Sequence, residues 1–368
     1  MKLSRVYIKN LRQIKELELS FENSLGVVND TTLIVGPNGS GKTTILDAIA
    51  LCIGPSVYFP VVRPSLSLTP RTIVRKGAIA AQVDCEFIFS AEEIKSTQTL
   101  FELMGEKMWK PKSDRVVTSW TYPDTDIKWG RVNYSSSNAS DPNLWRLFRG
   151  RSYAAKLIST GSLPKENGSA WNWFREVGSA FMFDQQRQGF EKTISREILE
   201  IIRGVPIQQT DDRITSSPKE ILLNIAIEDT LPTPKTIKNS AHPQSKFKLV
   251  QEAYARVCSP RKIVGIERGD DGVDLIFSDG NHQYTYEGMS SGEQLVLLFL
   301  IRMVTDYINQ SIVLIDEIEL HQHPIWQTRI LDTLERVGVN NQIIATTHSA
   351  YLRDSVSPGS IKNIGSLE

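Results

Sequence analysis

The chain has 368 residues and equal numbers of basic and acidic side chains, 42 lysines and arginines against 42 aspartates and glutamates, so its formal net charge at pH 7 is zero. That balance argues against a protein that holds nucleic acid by its overall electrostatic field, although a local basic patch is compatible with it. The length allows one large domain or two ordinary ones with a sizeable core.

The N-terminal residues, MKLSRVYIKN, lack the apolar segment of a signal peptide, and no stretch is long and charge-free enough to span a bilayer. The three cysteines, Cys52, Cys85 and Cys258, are far apart and outside any C-x-x-C pattern. Neither a disulfide framework nor a thiolate metal site is therefore predicted. We predict a protein of the reducing cytoplasm with no membrane partner.

The first predicted elements are strands. Alternating apolar residues predict short strands at residues 6–8 and 16–19, around a turn at residues 10–13. Residues 57–70 are rich in proline and serine, which predicts irregular backbone. Alternation then returns at residues 80–89 and predicts a further strand. Together these strands predict an antiparallel sheet that flanks the core of the protein. The motif that predicts this core lies at residues 36–43.

Residues 36–43, GPNGSGKT, fit the phosphate-binding pattern G-x-x-x-x-G-K-[ST], between an apolar strand at residues 33–35 and a helix-forming stretch at residues 45–50. Glycines let successive backbone N–H groups turn toward a phosphate, and the helix N-terminus adds partial positive charge. Lys42 is suited to bridge terminal phosphates, and the Thr43 hydroxyl to hold Mg²⁺. The predicted phosphate site consists of Gly36, Asn38, Gly39, Ser40, Gly41, Lys42, Thr43 and Thr44.

The stretch from residue 91 to residue 179 reads as a distinct insert, because six of the seven tryptophans lie in it, interleaved with basic residues. Three interpretations are open: a small core of its own, a docking site for a partner protein, and a stacking surface for single-stranded nucleic acid. The tryptophans are Trp109, Trp120, Trp129, Trp145, Trp171 and Trp173.

Residues 180–190, AFMFDQQRQGF, predict an apolar strand that runs into a glutamine-rich turn, where a glutamine could reach Mg²⁺ or a water molecule. Helical spacing of apolar residues then recurs in segments separated by prolines, which predicts a compact lid of short helices and no long coiled coil. Strands follow, with a turn at residues 278–281. The helices are predicted at residues 193–204, 218–229 and 245–257, and the strands at residues 263–277 and 284–286.

A second anion-binding pattern lies at residues 289–309, where Ser290, Ser291 and Gly292 begin a strongly apolar helix.

The motif His321-Gln322-His323 contains the H-x-H spacing of some metal sites, but no third ligand is evident and metal binding is not predicted.

Two apolar runs of buried parallel-strand type end in polar residues. Residues 312–315 lead into Asp316 and Glu317, and residues 342–347 lead toward His348. Parallel strands place ligands at their carboxyl ends. Asp316 is suited to the Mg²⁺ shell, Glu317 to polarising an attacking water, and His348 to sensing the γ-phosphate.

In chain order, the segments GPNGSGKTT, FDQQRQGF, MSSGEQ, IVLIDE, IELHQHP and TTHS resemble the phosphate loop, glutamine loop, signature loop, acidic strand, D-loop and switch histidine of ABC-type ATPase heads of the SMC, RecF and OLD-like group. The signature is a variant of the usual LSGGQ-like pattern. The resemblance implies an α/β fold, an ABC-type P-loop ATPase head with an antiparallel β subdomain, the tryptophan-rich insert and the short helical lid.

The same resemblance implies further ligands of ATP and Mg²⁺. The loop glutamine is Gln185, Gln186 or Gln188, and the RQG context favours Gln188 as a catalytic and Mg²⁺-binding residue beside Thr43 and Asp316. Asn10 and Arg12 match the group's IKNFR-type opening, which implies that they line the nucleotide. His321 and His323 fall in the D-loop, at a subunit interface.

In this group the signature loop of one subunit caps the γ-phosphate bound by another, so the resemblance implies a head-to-tail homodimer or a higher homo-oligomer. A stand-alone head is most similar to the ATPase subunits of bacterial anti-phage systems, which scaffold or restrain a separate effector, often a nuclease. The alternative is a RecF- or SMC-like ATPase that binds DNA in repair.

The resulting division of the chain has four parts. Residues 1–90 form an N-terminal ATPase lobe with the phosphate loop, and residues 91–179 the basic tryptophan-rich insert. Residues 180–262 carry the glutamine loop and the helical lid. Residues 263–366 form a C-terminal ATPase lobe with the signature, the acidic strand and the switch histidine.

Overall fold

The computed structural model describes residues 1–54, 73–108, 110–122, 131–136, 139–140, 143–159, 173–184, 217–230, 245–269 and 272–365. The chain divides into two units. One lies within residues 1–185, 308–319 and 339–368, and the other within residues 186–307 and 320–338.

The strands in chain order are β1 Lys2–Leu11, β2 Ile14–Ser20, β3 Thr31–Val35, β4 Ala81–Ile88, β5 Arg115–Tyr122, β6 Arg131–Ser136, β7 Ala139–Ser140, β8 Ala180–Phe183, β9 Lys262–Gly269, β10 Gly272–Ser278, β11 Gln283–Thr285, β12 Ile312–Ile315, β13 Gln342–Thr347 and β14 Ile361–Asn363. The α-helices are α1 Lys42–Ile53, α2 Ala91–Leu103, α3 Gly150–Ser159, α4 Trp173–Glu176, α5 Pro218–Thr230, α6 Lys246–Cys258, α7 Ser291–Thr305, α8 Pro324–Val337 and α9 Ala350–Asp354.

The first unit contains an antiparallel sheet with the strand order β2-β1-β4-β5-β6-β7. Burial alternates strictly along β4, where Ala81, Val83, Cys85 and Phe87 are buried and the residues between them are half-buried. This is the two-residue period of a strand with one face on a core. The predicted antiparallel β subdomain is thereby confirmed.

The tryptophan-rich stretch contributes β5, β6 and β7 to this same sheet. Trp120 on β5 is 1% exposed and packs in one core with Leu3 and Phe87. Trp145 is half-buried, and the guanidinium carbon of Arg149 lies 4.8 Å from its ring centre. Of the tryptophans in this stretch, Trp109, Trp129 and Trp171 lie outside the described residues.

The first unit also contains a parallel sheet with the strand order β14-β3-β13-β12-β8. Every residue of β3, β8, β12 and β13 is buried, as expected for parallel strands covered on both faces. The register pairs Val35 with Thr347 and Ile315 with both Ala345 and Phe183. The carboxyl ends of β3, β8, β12 and β13 therefore meet at one edge, and the phosphate loop begins there.

Helix α1 joins the two sheets of this unit through one continuous core. Its apolar residues, among them Leu46 and Ile49, share that core with Val6 and Val83 of the antiparallel sheet and with Leu314 of the parallel sheet. Ten of the twelve residues of α1 are buried, so the helix is enclosed on most sides. The helix that follows the phosphate loop is consequently held rigidly.

The second unit contains the antiparallel sheet β11-β10-β9. Helices α6 and α7 pack against each other, α5 and α8 each pack against both of them, and α6 also packs against β9. Helices α5 and α6 coincide closely with the predictions at residues 218–229 and 245–257. The predictions at residues 57–70 and 193–204 lie outside the described residues.

Helix length bears on two of the predictions. Within the part of the chain that the structure describes, the longest helix, α7, has 15 residues, which is too short for a long coiled coil. No helix of that part is both long and apolar enough to cross a membrane.

Candidate nucleotide-binding site

The phosphate loop connects β3 to α1 and has the backbone that anion binding requires. Gly39 and Gly41 have left-handed φ angles of 78° and 94°, which a side chain would disfavour. Gly41 is the N-cap of α1, and no side chain caps the first turn of that helix. The N–H groups of that turn are thus available to a phosphate.

Lys42 is 6% exposed, and its ammonium group lies over the loop. Its Nζ donates to the carbonyl oxygens of Gly36 and Pro37, both at 3.0 Å. Burial lowers the pKa of Lys42, and the carboxylates of Glu317, Asp316 and Glu319 partly oppose that effect. A phosphate bound at the loop would place further negative charge beside this desolvated ammonium and so stabilise its charged form.

Asp316 follows β12 and is completely buried. Its carboxylate accepts from the Thr43 hydroxyl at 3.0 and 2.9 Å and from the Thr346 hydroxyl at 2.7 Å. A carboxylate and a hydroxyl are hard oxygen ligands of the kind that Mg²⁺ prefers alongside phosphates and waters. Two of the three predicted metal ligands, Thr43 and Asp316, are therefore adjacent, and their chemistry fits Mg²⁺.

Glu317 has a left-handed φ of 48°, an uncommon conformation for a residue with a side chain. Its backbone N–H donates to the Thr346 hydroxyl at 2.7 Å. Thr346 thus contacts both acidic residues, since its hydroxyl also donates to Asp316. Strained backbone of this kind persists when its surroundings fix it, and it is concentrated at functional sites.

His348 follows β13, and its backbone N–H donates to Glu319 Oε1 at 2.6 Å. Sequence reasoning missed Glu319 and Thr346. The available signal for Thr346 was a pair of threonines at the end of an otherwise apolar strand.

These residues surround an open cleft of about 350 Å³. Polar groups from the phosphate loop meet the side chains of Glu317, which follows β12, and His348, which follows β13. The cleft is lined by Gln13, Asn38, Gly39, Gly41, Lys42, Thr43, Glu317 and His348.

The turn between β1 and β2 reaches the cleft through Gln13, which sequence reasoning did not select. Gln13 Oε1 accepts from the Thr44 hydroxyl at 3.2 Å. Arg12 donates to the buried Asp47 at 2.8 Å. Neither Arg12 nor Asn10 is among the residues that line the cleft, and their predicted contact with the nucleotide stays a prediction.

The remaining predicted residues are the loop glutamine and the signature residues. Gln185, Gln186 and Gln188 lie outside the described residues. Within the second unit, Ser290 is the N-cap of α7 and forms a capping box with Glu293. Ser290 and Ser291 are exposed, and Gly292 is buried.

The two histidines of the H-x-H motif have separate positions in the second unit. His321 is exposed and has a left-handed φ of 59°. His323 caps α8, since its ring nitrogen Nδ1 accepts from the N–H of Ile325 at 3.4 Å. That contact gives His323 a structural role without a metal ion.

The sequence matches the family model of the AAA ATPase domain over residues 1–352. The chain belongs to this ATPase family. This AAA ATPase domain protein is 23% identical to the Retron Vc95 probable ATPase of Vibrio cholerae serotype O1 biovar El Tor, over 92% of this chain and 70% of that protein. It is 25% identical to the Septu protein PtuA of Bacillus thuringiensis, over 95% of this chain and 72% of that protein.

The fold of this AAA ATPase domain protein is also found among solved structures. A crystal structure of the Smc head bound to the C-winged helix domain of ScpA matches 99% of this chain and 94% of that chain, with a TM-score of 0.55 and 18% identity. The resemblance to SMC-like, ABC-type ATPase heads and to the ATPases of bacterial defence systems is confirmed.

Proposed function

We propose that this protein binds ATP with Mg²⁺ in the described cleft and hydrolyses it to ADP and phosphate. The observation that carries the proposal is the contact of Thr43 with Asp316, beside Lys42 and Glu317. A phosphate cradle, a pair of Mg²⁺ ligands and a second carboxylate at one strand edge are the parts that nucleotide hydrolysis requires.

Each side chain has a role in this reaction. The loop N–H groups and Lys42 bind the β- and γ-phosphates, and Thr43 and Asp316 hold Mg²⁺. The metal ion, when bound, neutralises charge that develops on the phosphate oxygens. Glu317 orients a water and accepts its proton, while His348 contacts the γ-phosphate. The loop glutamine, for which the RQG context favours Gln188 over Gln185 and Gln186, would supply a further contact to Mg²⁺ and to the water.

We infer that a second copy completes the site. The resemblance implies that the signature residues Ser290, Ser291 and Gly292 act on a nucleotide held by another subunit. The exposure of Ser290 and Ser291 supports this, because a side chain must be accessible to reach a partner's phosphate. ATP would then hold together a head-to-tail homodimer, and hydrolysis would separate or reorient its subunits.

The proposed biological role is to scaffold or regulate a separate effector, with a nuclease as the expected class, in anti-phage defence. Similarity to the Retron Vc95 probable ATPase and to the Septu protein PtuA along most of the chain supports this role. The direct test is to purify the protein from its native operon and identify what accompanies it. Recovery without any other gene product would count against the role.

A second candidate is a DNA-binding ATPase of the RecF or SMC type that acts in repair. Arg146 and Arg149 lie with their guanidinium carbons 5.6 and 4.8 Å from the Trp145 ring centre. In such an arrangement the aromatic ring is suited to stack on bases of single-stranded nucleic acid, and the arginines are suited to pair with its phosphates.

Two measurements test hydrolysis and the choice between these candidates. Phosphate release, with Lys42→Ala as the control, tests hydrolysis itself. DNA affinity, measured with and without ATP over a range of salt concentrations, tests the second candidate, because phosphate contacts produce a steep salt dependence. An ATPase that is indifferent to DNA favours the scaffold.

A further inference from the structure

Glu293 is a buried carboxylate directly behind the signature serine. It lies in the first turn of α7 and is 2% exposed. Its Oε2 accepts from the backbone N–H of Ser290 at 3.0 Å and from the Ser290 hydroxyl at 2.8 Å. One carboxylate oxygen is thus committed to holding the residue that begins the signature helix.

The other oxygen is held by two tyrosines from outside the sequence motifs. Glu293 Oε1 accepts from the phenol of Tyr284 on β11 at 2.6 Å and from the phenol of Tyr254 on α6 at 3.0 Å. Arg261, which precedes β9, approaches the same oxygen to 3.6 Å. Tyr254 is itself completely buried. Glu293 therefore links Ser290 to helix α6 and to strand β11.

A buried carboxylate is stable only when its oxygens have donors. Burial by itself would raise the pKa of Glu293, but hydrogen bonds from Tyr284, Ser290 and Tyr254 hold it below its ordinary value. Glu293 is therefore ionised near neutral pH and can accept at both oxygens. Removal of a phenol would leave Oε1 short of a donor, and the carboxylate would turn away from Ser290 to find one.

The opposite side of the signature loop is fixed by close packing. A Cβ on Gly292 would lie 2.3 Å from the backbone carbonyl oxygen of His321. The loop thus cannot shift toward His321 to compensate for a loosened Glu293. The orientation of the exposed Ser290 depends on the contacts behind it.

We propose that Tyr254 and Tyr284 are positioning residues for the signature: through Glu293 they hold Ser290 in the orientation that binds the γ-phosphate of a second copy. This inference rests on the proposed function. Each tyrosine donates to Glu293, so its effect on the phosphate of a second copy would pass through Glu293 and Ser290.

The test uses the full chain carrying Glu317→Gln, in which ATP persists. Into it we would introduce Tyr254→Phe, Tyr284→Phe and, as the matched control, Tyr286→Phe. Tyr286 is half-buried near Glu287 and Lys219. Its replacement by phenylalanine removes the same phenol hydroxyl as the other two substitutions. Two quantities are measured: the dimer dissociation constant with ATP, by sedimentation over a range of protein concentrations, and the affinity of the monomer for a fluorescent ATP analogue.

We expect Tyr254→Phe and Tyr284→Phe each to weaken ATP-driven dimerisation by about tenfold or more, the effect of losing a hydrogen bond to a charged group. Binding of the ATP analogue and dimerisation of the Tyr286→Phe control should stay as in the parent. Dimerisation equal to that of Tyr286→Phe would overturn the inference. Loss of both analogue binding and dimerisation would also overturn the inference, because the tyrosine would then support folding in general. A parent that does not dimerise would overturn the proposed function instead, and this inference with it.

Discussion

The hydroxyl of Thr43 donates to both carboxylate oxygens of Asp316, at 3.0 and 2.9 Å, although 273 positions separate the two residues in the chain. The contact follows from the order of the parallel sheet, in which β13 lies between β3 and β12 and all three strands end at one edge. The end of the phosphate loop and the end of the acidic strand therefore meet without a ligand.

Asp316→Asn should lower Mg²⁺-dependent hydrolysis by at least roughly 10–100-fold, the loss that even an outer partner of a metal ligand causes. The amide keeps the shape of the carboxylate but removes its charge and one acceptor oxygen. ATP binding without Mg²⁺ should persist. The measurement is phosphate release over a Mg²⁺ titration, with Asp332→Asn, an exposed carboxylate on α8, as the control. An unchanged Mg²⁺ dependence would remove Asp316 from the metal site.

ATP affinity should fall as the pH is raised, and the fall should begin below the range expected of an exposed lysine. Burial lowers the pKa of Lys42, and only its ammonium form attracts phosphate. The measurement is ATP titration calorimetry from neutral to about pH 10. Lys42→Arg, whose guanidinium keeps its charge, should flatten the profile. Equal slopes for the two proteins would contradict the role of Lys42.

The same lowered pKa affects the stability of the protein without nucleotide in the opposite direction. Between the pKa of Lys42 in the folded chain and the higher pKa in the unfolded chain, the unfolded state binds more protons. The contribution of Lys42 to the free energy of unfolding therefore rises with pH in that window. The free energy of unfolding, measured with urea at several pH values in that window, should rise with pH more steeply in the wild type than in Lys42→Met.

The free energy of unfolding should respond differently to alanine at three glycines. A Cβ on Gly36 would lie 2.4 Å from the carbonyl oxygen of Ile364, so Gly36→Ala should cost near the upper end of about 1–3 kcal/mol. Gly39 has open space but a φ of 78°, so Gly39→Ala should cost about 1–2 kcal/mol. Gly359 has neither constraint and is the control. Urea unfolding measures all three, and a neutral Gly36→Ala would contradict the packing of the loop on Ile364.

The parallel strands of the core could be predicted from the sequence because burial on both faces selects continuous aliphatic runs. Residues 312–315 and 342–347 coincide with β12 and β13. The helix predicted within residues 289–309 is observed as α7. These patterns are local, and the strand ends that they define place Thr43, Asp316, Glu317 and His348 at one edge of the sheet, where their functional roles stay predictions.

Contacts that depend on distant packing could not be predicted in this way. Gln13 reaches the cleft because Thr44 and Asp47, three positions apart on one face of α1, hold the β1–β2 turn through Gln13 and Arg12. Likewise, nothing in the local pattern around Tyr254 or Tyr284 indicates that both bind Glu293. Such residues belong to ordinary helices and strands, and only the fold makes them part of a site.

Two copies of this ATPase are proposed to complete each other's sites around ATP. The most direct measurement is the mass of the Glu317→Gln variant by light scattering, with and without saturating ATP and Mg²⁺. A variant that binds ATP but does not hydrolyse it should accumulate as the ATP-bound dimer. The proposal predicts a monomer without ATP, about twice that mass with ATP, and no change for the Lys42→Ala, Glu317→Gln double variant. A monomeric mass at saturating ATP would contradict it.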